Sequence, residues 1–369
     1  MSNIRALKEF SILKTGPFGT QFKASEYVSE GIPVINVKNI GYGDIVRDNL
    51  DYISERTRDR LSEHVLQCGD IVFGRKGSVD RHCLISKAED GWFQGSDCLR
   101  VRITDPAVNP QYVSYYLLSS HILKSINNAA VGSTMASINM DIIGDIKIII
   151  PAYETQCKIA AVLKKLDDKR AINTAVNDNL QQMVYDTYMH LFFSKTPNGK
   201  LGEIIKENTK SAVQVGDAKN IKGDFPFFTS GDAILEWQDS MVDGRNCFLN
   251  TGGNAGVKFY VGKAAYSTDT WCITADRELE DYLYLLLLSI KPELNQKFFQ
   301  GTGLKHLQKP LLRDRKIYIP TDCEIADFNS RVKPWMNQIS ANTQENKQLI
   351  LLRDWLLPML MNGQATISD

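Results

Sequence analysis

The chain is built on an internal repeat. The segment IIGDIKIIIP at residues 142–151 is matched by LLRDRKIYIP at residues 311–320, with the final prolines 169 positions apart. This separation holds without a gap for residues 115–180 of the first copy. Towards the start of each copy it rises to 193, between IPVINV and FPFFTS, which indicates insertions in the first copy. The repeat predicts two related units of about 185 residues, the size of ordinary domains.

Short apolar runs and a helical segment follow in the same order in both units. IPVINV, GDIVFG and CLRVRI in the first unit, and FPFFTS, VKFYVG and WCITA in the second, are typical of strands. A helix should follow in the first unit, since Asn109 suits the N-cap and Pro110 the first helical position. A polar segment of helical composition, residues 54–66, has no counterpart in the second unit. We predict mixed α+β domains at residues 1–150 and 195–319, with antiparallel or mixed sheets because most strands are closely joined.

Each domain is followed by a long helix, predicted within residues 151–194 and 320–369. Residues three and four apart form a seam on the first helix, namely Ile159, Val162, Leu166, Lys169, Asn173, Val176, Leu180 and Met183. The seam on the second helix is Phe328, Val332, Trp335, Ile339, Asn342, Asn346, Leu349 and Leu356. A kink is expected near Pro334.

Either seam alone would more often indicate ordinary core packing. Two seams at equivalent places favour pairing of the helices with each other. Asn173 and Asn342 are equivalent by the repeat, and a buried Asn at a seam position costs stability but fixes the register.

Composition narrows the class of protein. The chain has 43 basic and 43 acidic residues, which argues against polybasic binding of nucleic acid and confines any such surface to a local patch. The seven cysteines form no CxxC pair, and the first residues, MSNIRALKEF, contain no apolar signal region. We therefore expect a reduced, cytoplasmic protein. The most apolar stretch, residues 282–290, is shorter than the roughly 20 residues that cross a bilayer, so a buried helix and no membrane contact are expected.

Catalytic motifs are missing from the sequence. There is no GxxxxGK[ST] phosphate loop, HExxH pair, Cys/His metal spacing or GxSxG elbow. The tetrapeptide of adenine-methylating enzymes, Asn or Asp followed by two prolines and an aromatic residue, is also absent. We expect no catalytic residue, no metal site and no cofactor.

Polar loops remain as the candidate functional sites. Small Gly and Ser residues beside Lys, Arg and His let a loop approach a phosphate backbone while Arg75 or Arg81 reaches a base edge. A single charged residue of this kind is more often an ordinary solvated side chain, so the prediction depends on the set. The candidates in the first unit are Lys38, Asn39, Arg75, Lys76, Ser78, Arg81, Ser133 and Thr134. Those in the second unit are Thr229, Ser230, Asn254, Lys258, Thr302, Lys305 and His306.

Together these features resemble a DNA-specificity subunit of a type I restriction-modification system. The junction IIIPAYETQCKIAAVLKKLDD resembles the family motif that joins each recognition domain to its helix, and it keeps Pro151, Gln156, Ile159 and Leu163. Thr155 stands where the family has Glu, and the second junction, IYIPTDCEIADFNSRV, is degenerate. GDIVFGRKGS and VGSTMASINMDIIGDIKIIIP are also similar to phrases of this family.

The resemblance implies an α+β protein with tandem target-recognition domains joined by two long antiparallel coiled-coil helices in a pseudo-twofold arrangement. Each domain would read one half of a split double-stranded DNA target, and the helices would set the spacer. Methylation and cleavage would belong to partner methyltransferase (modification) and restriction/translocase subunits. Two alternatives stay open, which are a duplicated interaction scaffold with no DNA role and a diverged methyltransferase or nuclease.

Overall fold

The computed structural model of the chain describes residues 3–130 and 136–367. These residues form two compact units. Unit 1 contains the described parts of residues 1–168 and 349–369, and unit 2 contains residues 169–348. Each long helix therefore contributes to both units. The domain limits at residues 150, 194 and 319 stay predictions, because the compact units are not continuous segments of the chain.

Unit 1 combines three small sheets with short helices. Its strands are β1 (Asn3–Ala6), β2 (Ser11–Thr15), β3 (Tyr27–Val28), β4 (Ile32–Ile35), β5 (Tyr42–Gly43), β6 (Asp51–Ile53), β7 (Ile71–Gly74), β8 (His82–Leu84), β9 (Phe93–Gln94), β10 (Cys98–Ile103) and β11 (Lys147–Ile150). Its helices are α1 (Glu55–Arg60), α2 (Pro110–Leu117), α3 (Ser120–Ala129), α4 (Met140–Gly144) and the start of α5 (Tyr153–Tyr188). The sheet orders are β2-β10-β7-β8-β5, β3-β6-β4-β9 and β1-β11.

Unit 2 is built in the same way. Its strands are β12 (Gly199–Lys200), β13 (Ile205–Glu207), β14 (Phe225–Phe228), β15 (Ile234–Trp237), β16 (Arg245–Asn250), β17 (Val257–Val261), β18 (Ala265–Tyr266), β19 (Thr270–Ala275), β20 (Phe299–Gln300), β21 (His306–Leu307) and β22 (Lys316–Ile317). Its helices are α6 (Val215–Ala218), α7 (Glu280–Ser289), α8 (Lys291–Glu293), α9 (Lys309–Arg313) and most of α10 (Asp322–Met361). A π-helical turn, Met189–Phe193, follows α5.

The sheets reproduce the internal repeat. The order β13-β19-β16-β17 in unit 2 corresponds to β2-β10-β7-β8 in unit 1, and β15-β14-β18 corresponds to β6-β4-β9. Each unit pairs one of these strands in parallel at the same place, β4 with β9 and β14 with β18. Unit 1 has an additional edge strand, β5, parallel to β8, and no described strand of unit 2 takes that place beside β17. The predicted α+β class with mixed sheets is confirmed.

Local sequence signals set several helix boundaries. The Asn109 side chain accepts hydrogen bonds from the backbone N–H groups of Gln111 and Tyr112, at 2.9 and 3.1 Å, and Pro110 begins α2. Ser54 caps α1 by accepting from the N–H of Thr57. Both predicted helices are confirmed. The apolar stretch at residues 282–290 forms most of α7 and is largely buried in unit 2, also as predicted.

The seam of α5 differs in part from its prediction. Ile159 and Asn173 are buried, and Leu166 and Leu180 are half-buried, as expected. At the positions predicted for Val162, Val176 and Met183, the buried residue is the next one along the chain, namely Leu163, Asn177 and Val184. Val162 is only half-buried, while Val176 and Met183 are 38% and 44% exposed. The spacing was right, but tertiary packing selects which neighbour turns inward, so the prediction for Val176 and Met183 was wrong.

On α10 the predicted seam lies closer to the buried side. Phe328 and Val332 are fully buried in the core of unit 2, Ile339 and Leu349 are half-buried, and Asn342 is buried. The helix continues through Pro334. Three residues near its end pack into the core of unit 1 beside the start of α5, namely Leu357, Leu360 and Met361.

Within unit 2 the two long helices are joined by a polar ladder. Asn342 Nδ2 donates to Asn177 Oδ1 at 2.8 Å, and Asn173 Nδ2 donates to Asn346 Oδ1 at 3.0 Å. Residue numbers rise on one helix as they fall on the other, so these segments are antiparallel. The repeat relates Asn173 to Asn342 and Asn177 to Asn346. Replacing both members of one rung by their repeat equivalents therefore gives the other rung. A symmetric antiparallel pair of helices requires this relation.

The described residues contain no helix with both the length and the apolar character required to cross a bilayer.

Candidate nucleic-acid interface

Two loops meet in unit 1 at the site that the sequence predicted. The loop after β7, residues 75–77, lies beside residues 136–138. The N–H of Gly77 donates to the carbonyl of Ala136 at 2.9 Å, and the N–H of Ile138 donates to that of Arg75 at 3.0 Å. These backbone bonds join two segments that are far apart in the sequence. We call this arrangement the loop pair.

Unit 2 has a loop pair with the same bonding. The N–H of Gly253 donates to the carbonyl of Lys305, and the N–H of Leu307 donates to that of Thr251, both at 2.9 Å. Gly77 and Gly253 both have a φ of +77°, a conformation that side chains with a Cβ rarely adopt. Nothing lies within 4 Å of a Cβ added at either glycine. The positive φ, and not a lack of space for a side chain, therefore explains why glycine occupies both positions.

The two loop pairs correspond through the repeat but carry different side chains. Ala136 and Lys305 are 169 positions apart, as are Ile138 and Leu307, so the second loop lies in the ungapped part of the repeat. In unit 1 the basic residues stand on the loop after β7, as Arg75 and Lys76. In unit 2 they stand on the other loop, as Lys305 and His306. One backbone frame thus presents two different surfaces.

Three of the four predicted basic residues of unit 1 are paired with carboxylates. Lys38 Nζ lies 2.8 Å from Asp51, and Arg75 and Lys76 lie 3.5 and 3.0 Å from one oxygen of Asp97. These pairs are partly exposed, and exposed ion pairs contribute only about 0–1 kcal/mol. A phosphate group could therefore displace the carboxylates at modest cost.

Arg81 differs from these three residues. It is exposed, and its guanidinium has no hydrogen bond or ion pair with any residue in the described part of the chain. The guanidinium lies over the ring of Tyr42, with 5.3 Å between the Arg81 Cζ atom and the ring centroid. Ser78, in the same loop, is half-buried. The predicted residues Ser133 and Thr134 lie outside the described residues.

Asn39 does not face solvent. It is fully buried, and its Nδ2 donates to the carbonyls of Val46 and Asp48 at 3.0 and 3.2 Å. Its Oδ1 accepts from the N–H of Asn36 at 3.2 Å. Because these bonds hold the loop that follows, we remove Asn39 from the candidate DNA contacts.

In unit 2 three predicted loops come together. Ser230 Oγ accepts from the N–H of Thr251 at 3.0 Å, which ties the loop after β14 to the loop pair. The exposed candidates are Asn254, Thr302, Lys305 and His306, and Ser230 is half-buried. These five residues stay candidates for DNA contact.

Thr229 and Lys258 support the loops by donating hydrogen bonds to backbone carbonyls. Thr229 is buried, and its Oγ1 donates to the carbonyl of Ala233 at 2.6 Å. Lys258 Nζ donates to the carbonyl of Thr229 at 2.8 Å, to that of Gly231, and to Asn250 Oδ1 at 3.4 Å. Burial lowers the pKa of Lys258. The ammonium group is fully engaged, so we remove both residues from the candidate contacts.

Sequence reasoning missed the aromatic residue beside Arg81. Tyr42 lies in the segment NVKNIGYG, which also contains the predicted residues Lys38 and Asn39. It is 44% exposed, although large aromatic side chains bury most of their surface when packing alone determines their place. Its position follows from the parallel pairing of β5 with β8, which the sequence does not reveal.

Residues 3–130 and 136–367 contain no cluster of three or more His, Cys, Asp or Glu side chains placed to hold a metal ion.

Comparison with known proteins gives a consistent result. Residues 2–182 and 195–349 match the family model for the type I restriction modification DNA specificity domain. The chain belongs to this family. The two matched regions cover both copies of the internal repeat, which confirms the resemblance seen in the sequence.

Individual relatives support the assignment. The MjaIX specificity subunit of Methanocaldococcus jannaschii is 21% identical over 397 residues, covering 94% of this chain and 90% of that protein. The MjaVIII specificity subunit of the same organism is 24% identical over 184 residues, covering 48% of this chain but only 42% of that protein. The crystal structure of the S subunit from M. genitalium covers 100% of this chain and 97% of its own, with a TM-score of 0.64 and 14% identity. That likeness establishes the shared fold.

Family membership places the chain among the specificity subunits of type I restriction-modification systems, which are non-catalytic. In these systems other subunits carry out the chemistry, and recognition of DNA is the activity that the family implies. The absence of catalytic motifs from the sequence agrees with this assignment.

Proposed function

We propose that each unit reads one half of a bipartite double-stranded DNA target through its loop pair. The observation that carries this proposal is the common backbone frame with different side chains in the two units. A true homodimer would present two identical surfaces and require a palindrome, whereas two related but unlike surfaces suit two different half-sites. An interaction scaffold with no DNA role would not need Arg, Lys and His at the two corresponding loop pairs.

The paired helices set the spacer between the half-sites and dock the methyltransferase subunits. Exposed apolar residues support the docking role. Ile172, Val176 and Met183 are exposed on one side of α5, and Leu351 and Trp355 are exposed on α10. Exposed apolar residues grouped on one face commonly mark a protein interface. The partners would also supply part of the phosphate contact, which suits a chain with 43 basic and 43 acidic residues.

The half-site assignment is tested by methylome sequencing of cells that carry the intact system. One variant replaces Arg75, Lys76 and Arg81 with Ala, and the other replaces Lys305 and His306 with Ala. Each should relax one half of the methylated motif and leave the other half intact. A lost base contact costs roughly 1–3 kcal/mol, while a lost phosphate contact weakens all sequences alike.

Matched controls remove a lysine from each unit away from the loop pairs, by Lys147→Ala in β11 and Lys206→Ala in β13. Both side chains are exposed, and neither change should alter the motif. If both loop variants damage both half-sites equally, the units do not read DNA independently and the proposal is wrong.

A further inference from the structure

A four-residue cluster beside the unit 1 loop pair links an aromatic ring, a carboxylate, an amide and a guanidinium. Tyr42 OH donates to Asp80 Oδ2 at 3.2 Å, and Asn127 Nδ2 donates to the same oxygen at 3.2 Å. The Arg81 guanidinium lies over the Tyr42 ring. We call these residues the Tyr42 cluster.

The backbone that carries Tyr42 is held tightly on both sides. On one side β5 pairs with β8, which places Tyr42 opposite His82 and Gly43 opposite Cys83. On the other side the N–H of Gly41 donates to the carbonyl of Asp44 at 3.0 Å, and the buried Asn39 amide bonds to two further carbonyls. Gly43 has a φ of +91° and lies 3.1 Å from Leu118, as measured from an added Cβ, so a side chain there would be strained. The exposed ring therefore stands on a rigid support.

The cluster belongs to unit 1 alone among the described residues, because β5 has no counterpart in unit 2. Three of its members, Tyr42, Asp80 and Arg81, also lie in the front part of the repeat, where the two copies differ most. A rigid exposed ring is not required by the fold, since equivalent strands of unit 2 form without one. The Tyr42 ring contacts Arg81, the one predicted basic residue of unit 1 that has no partner carboxylate among the described residues.

We propose that Tyr42 is a positioning residue that orients Arg81 to read a guanine in the half-site of unit 1. This inference rests on the proposed function. Arg81 is the specificity-determining residue, and Tyr42 restricts its guanidinium to one plane before DNA binds. Asp80 fixes Tyr42 through its hydroxyl group, and Asn127 holds Asp80.

Guanine is the base that suits this geometry. In the major groove guanine offers two acceptors, O6 and N7, which match the paired N–H groups of a guanidinium. A flexible exposed arginine loses rotational freedom when it forms such a bidentate contact, and a side chain already held in one orientation loses less. Contact with an aromatic face leaves the outer N–H groups of the guanidinium free to donate.

The test uses the full-length chain in complex with its modification subunit and a pool of duplex oligonucleotides randomised across the target. Arg81→Lys keeps the positive charge but removes the paired N–H groups of the guanidinium. It should lower selectivity for guanine at one position roughly 10- to 100-fold, while the salt dependence of binding stays the same. Tyr42→Leu should relax the same position by about 2- to 5-fold, the range expected for a cation–π contact at an exposed site.

A structural role for Tyr42 is excluded by three comparisons. Tyr42→Phe keeps the ring face and loses only one exposed hydrogen bond, so it should be measurably more selective than Tyr42→Leu. The double variant Tyr42→Leu with Arg81→Lys should be no less selective than Arg81→Lys alone, because the ring acts through the guanidinium. Tyr153→Leu, at a tyrosine that is 49% exposed on α5, is the matched control and should change nothing.

The outcomes separate the two proposals. If Arg81→Lys relaxes a guanine but Tyr42→Leu does not, or if the double variant is additive, the positioning role is wrong and the proposed function stands. If Arg81→Lys relaxes a different base, the choice of guanine is overturned. If neither Arg81→Lys nor the triple alanine variant of Arg75, Lys76 and Arg81 changes any position, unit 1 does not read DNA through this loop, and the proposed function fails as well.

Discussion

His82 shows how a residue suited to binding can be used for structure instead. It lies on β8 beside Arg81, is fully buried, and contacts Ser114 through Nε2, at 3.0 Å from the hydroxyl and 3.1 Å from the carbonyl. Its Nδ1 has no hydrogen-bond partner among the described residues. Burial lowers the pKa of His82 from 6.5 to about 4. The imidazole is therefore neutral in the folded chain at pH 7.

Unit 1 should lose stability as the pH falls, because His82 binds a proton more readily when unfolded. The loss begins as the pH falls below the unfolded pKa of 6.5 and is complete near the folded pKa of about 4. At pH 5 it amounts to about 2 kcal/mol of unfolding free energy. Urea unfolding at pH 7 and pH 5, monitored by circular dichroism, measures this change. His82→Gln should show a smaller loss, and equal losses in the two proteins would contradict the assignment.

At the scale of elements, the pairing of α5 with α10 in unit 2 depends on amides at its centre. Asn177 and Asn342 are 8% and 6% exposed, and each amide is bonded. Asn342 Oδ1 also accepts from Gln338 Nε2 at 2.7 Å. A fully bonded pair of this kind contributes little net stability, but a one-residue slip of either helix would leave it unbonded. The ladder therefore specifies the register more than it stabilises the pair.

Removing one member of this pair should cost more than removing both. Asn342→Leu leaves Asn177 Oδ1 buried without its donor and should destabilise the chain by about 1–3 kcal/mol. The double variant Asn177→Leu with Asn342→Leu should recover part of that loss, because no unpaired amide remains. Asn179→Leu, at an exposed position of the same helix, is the control and should be nearly neutral. Thermal unfolding of these variants, of Asn177→Leu and of the native chain measures the coupling, and additive losses from the two single variants would argue against a coupled pair.

At the scale of the whole molecule, the repeat places a loop pair in each unit and a long helix after it. The helices α5 and α10 contain 36 and 40 residues, which corresponds to lengths of ~54 and ~60 Å at 1.5 Å per residue. Successive turns of DNA lie ~34 Å apart, so rods of this length can separate two half-sites by about one turn or more.

Lengthening both helices should lengthen the spacer. Four residues inserted after Asn173 and four after Asn342 enter α5 and α10 between the same two rungs of the ladder, so both rungs can still form. Each insertion adds ~6 Å and just over one helical turn. At ~3.4 Å per base pair, the preferred spacer should grow by about one or two pairs, with unchanged half-sites. Methylome sequencing measures this, and a folded, active variant with the native spacer would show that the helices are not the ruler.

The sequence by itself determined the duplication, the α+β class, the helix cap at Asn109, the helical character of the segment at residues 54–66, and the family. These depend on local chemistry or on order along the chain, both of which can be read without coordinates. It also placed the candidate loops, because Gly beside Arg, Lys or His is a local pattern. The spacing of the α5 seam was equally readable.

Only the tertiary structure decided which polar residues face solvent. Asn39, Thr229 and Lys258 resemble binding residues in the sequence, yet each is used by neighbouring backbone groups that come from residues the local pattern does not identify. Val176 looks like a seam residue, but the helix is turned so that Asn177 is buried instead. The contact of Arg81 with Tyr42 depends on a parallel pairing between strands some 40 positions apart. Burial and long-range pairing are properties of packed elements, so no single segment of sequence specifies them.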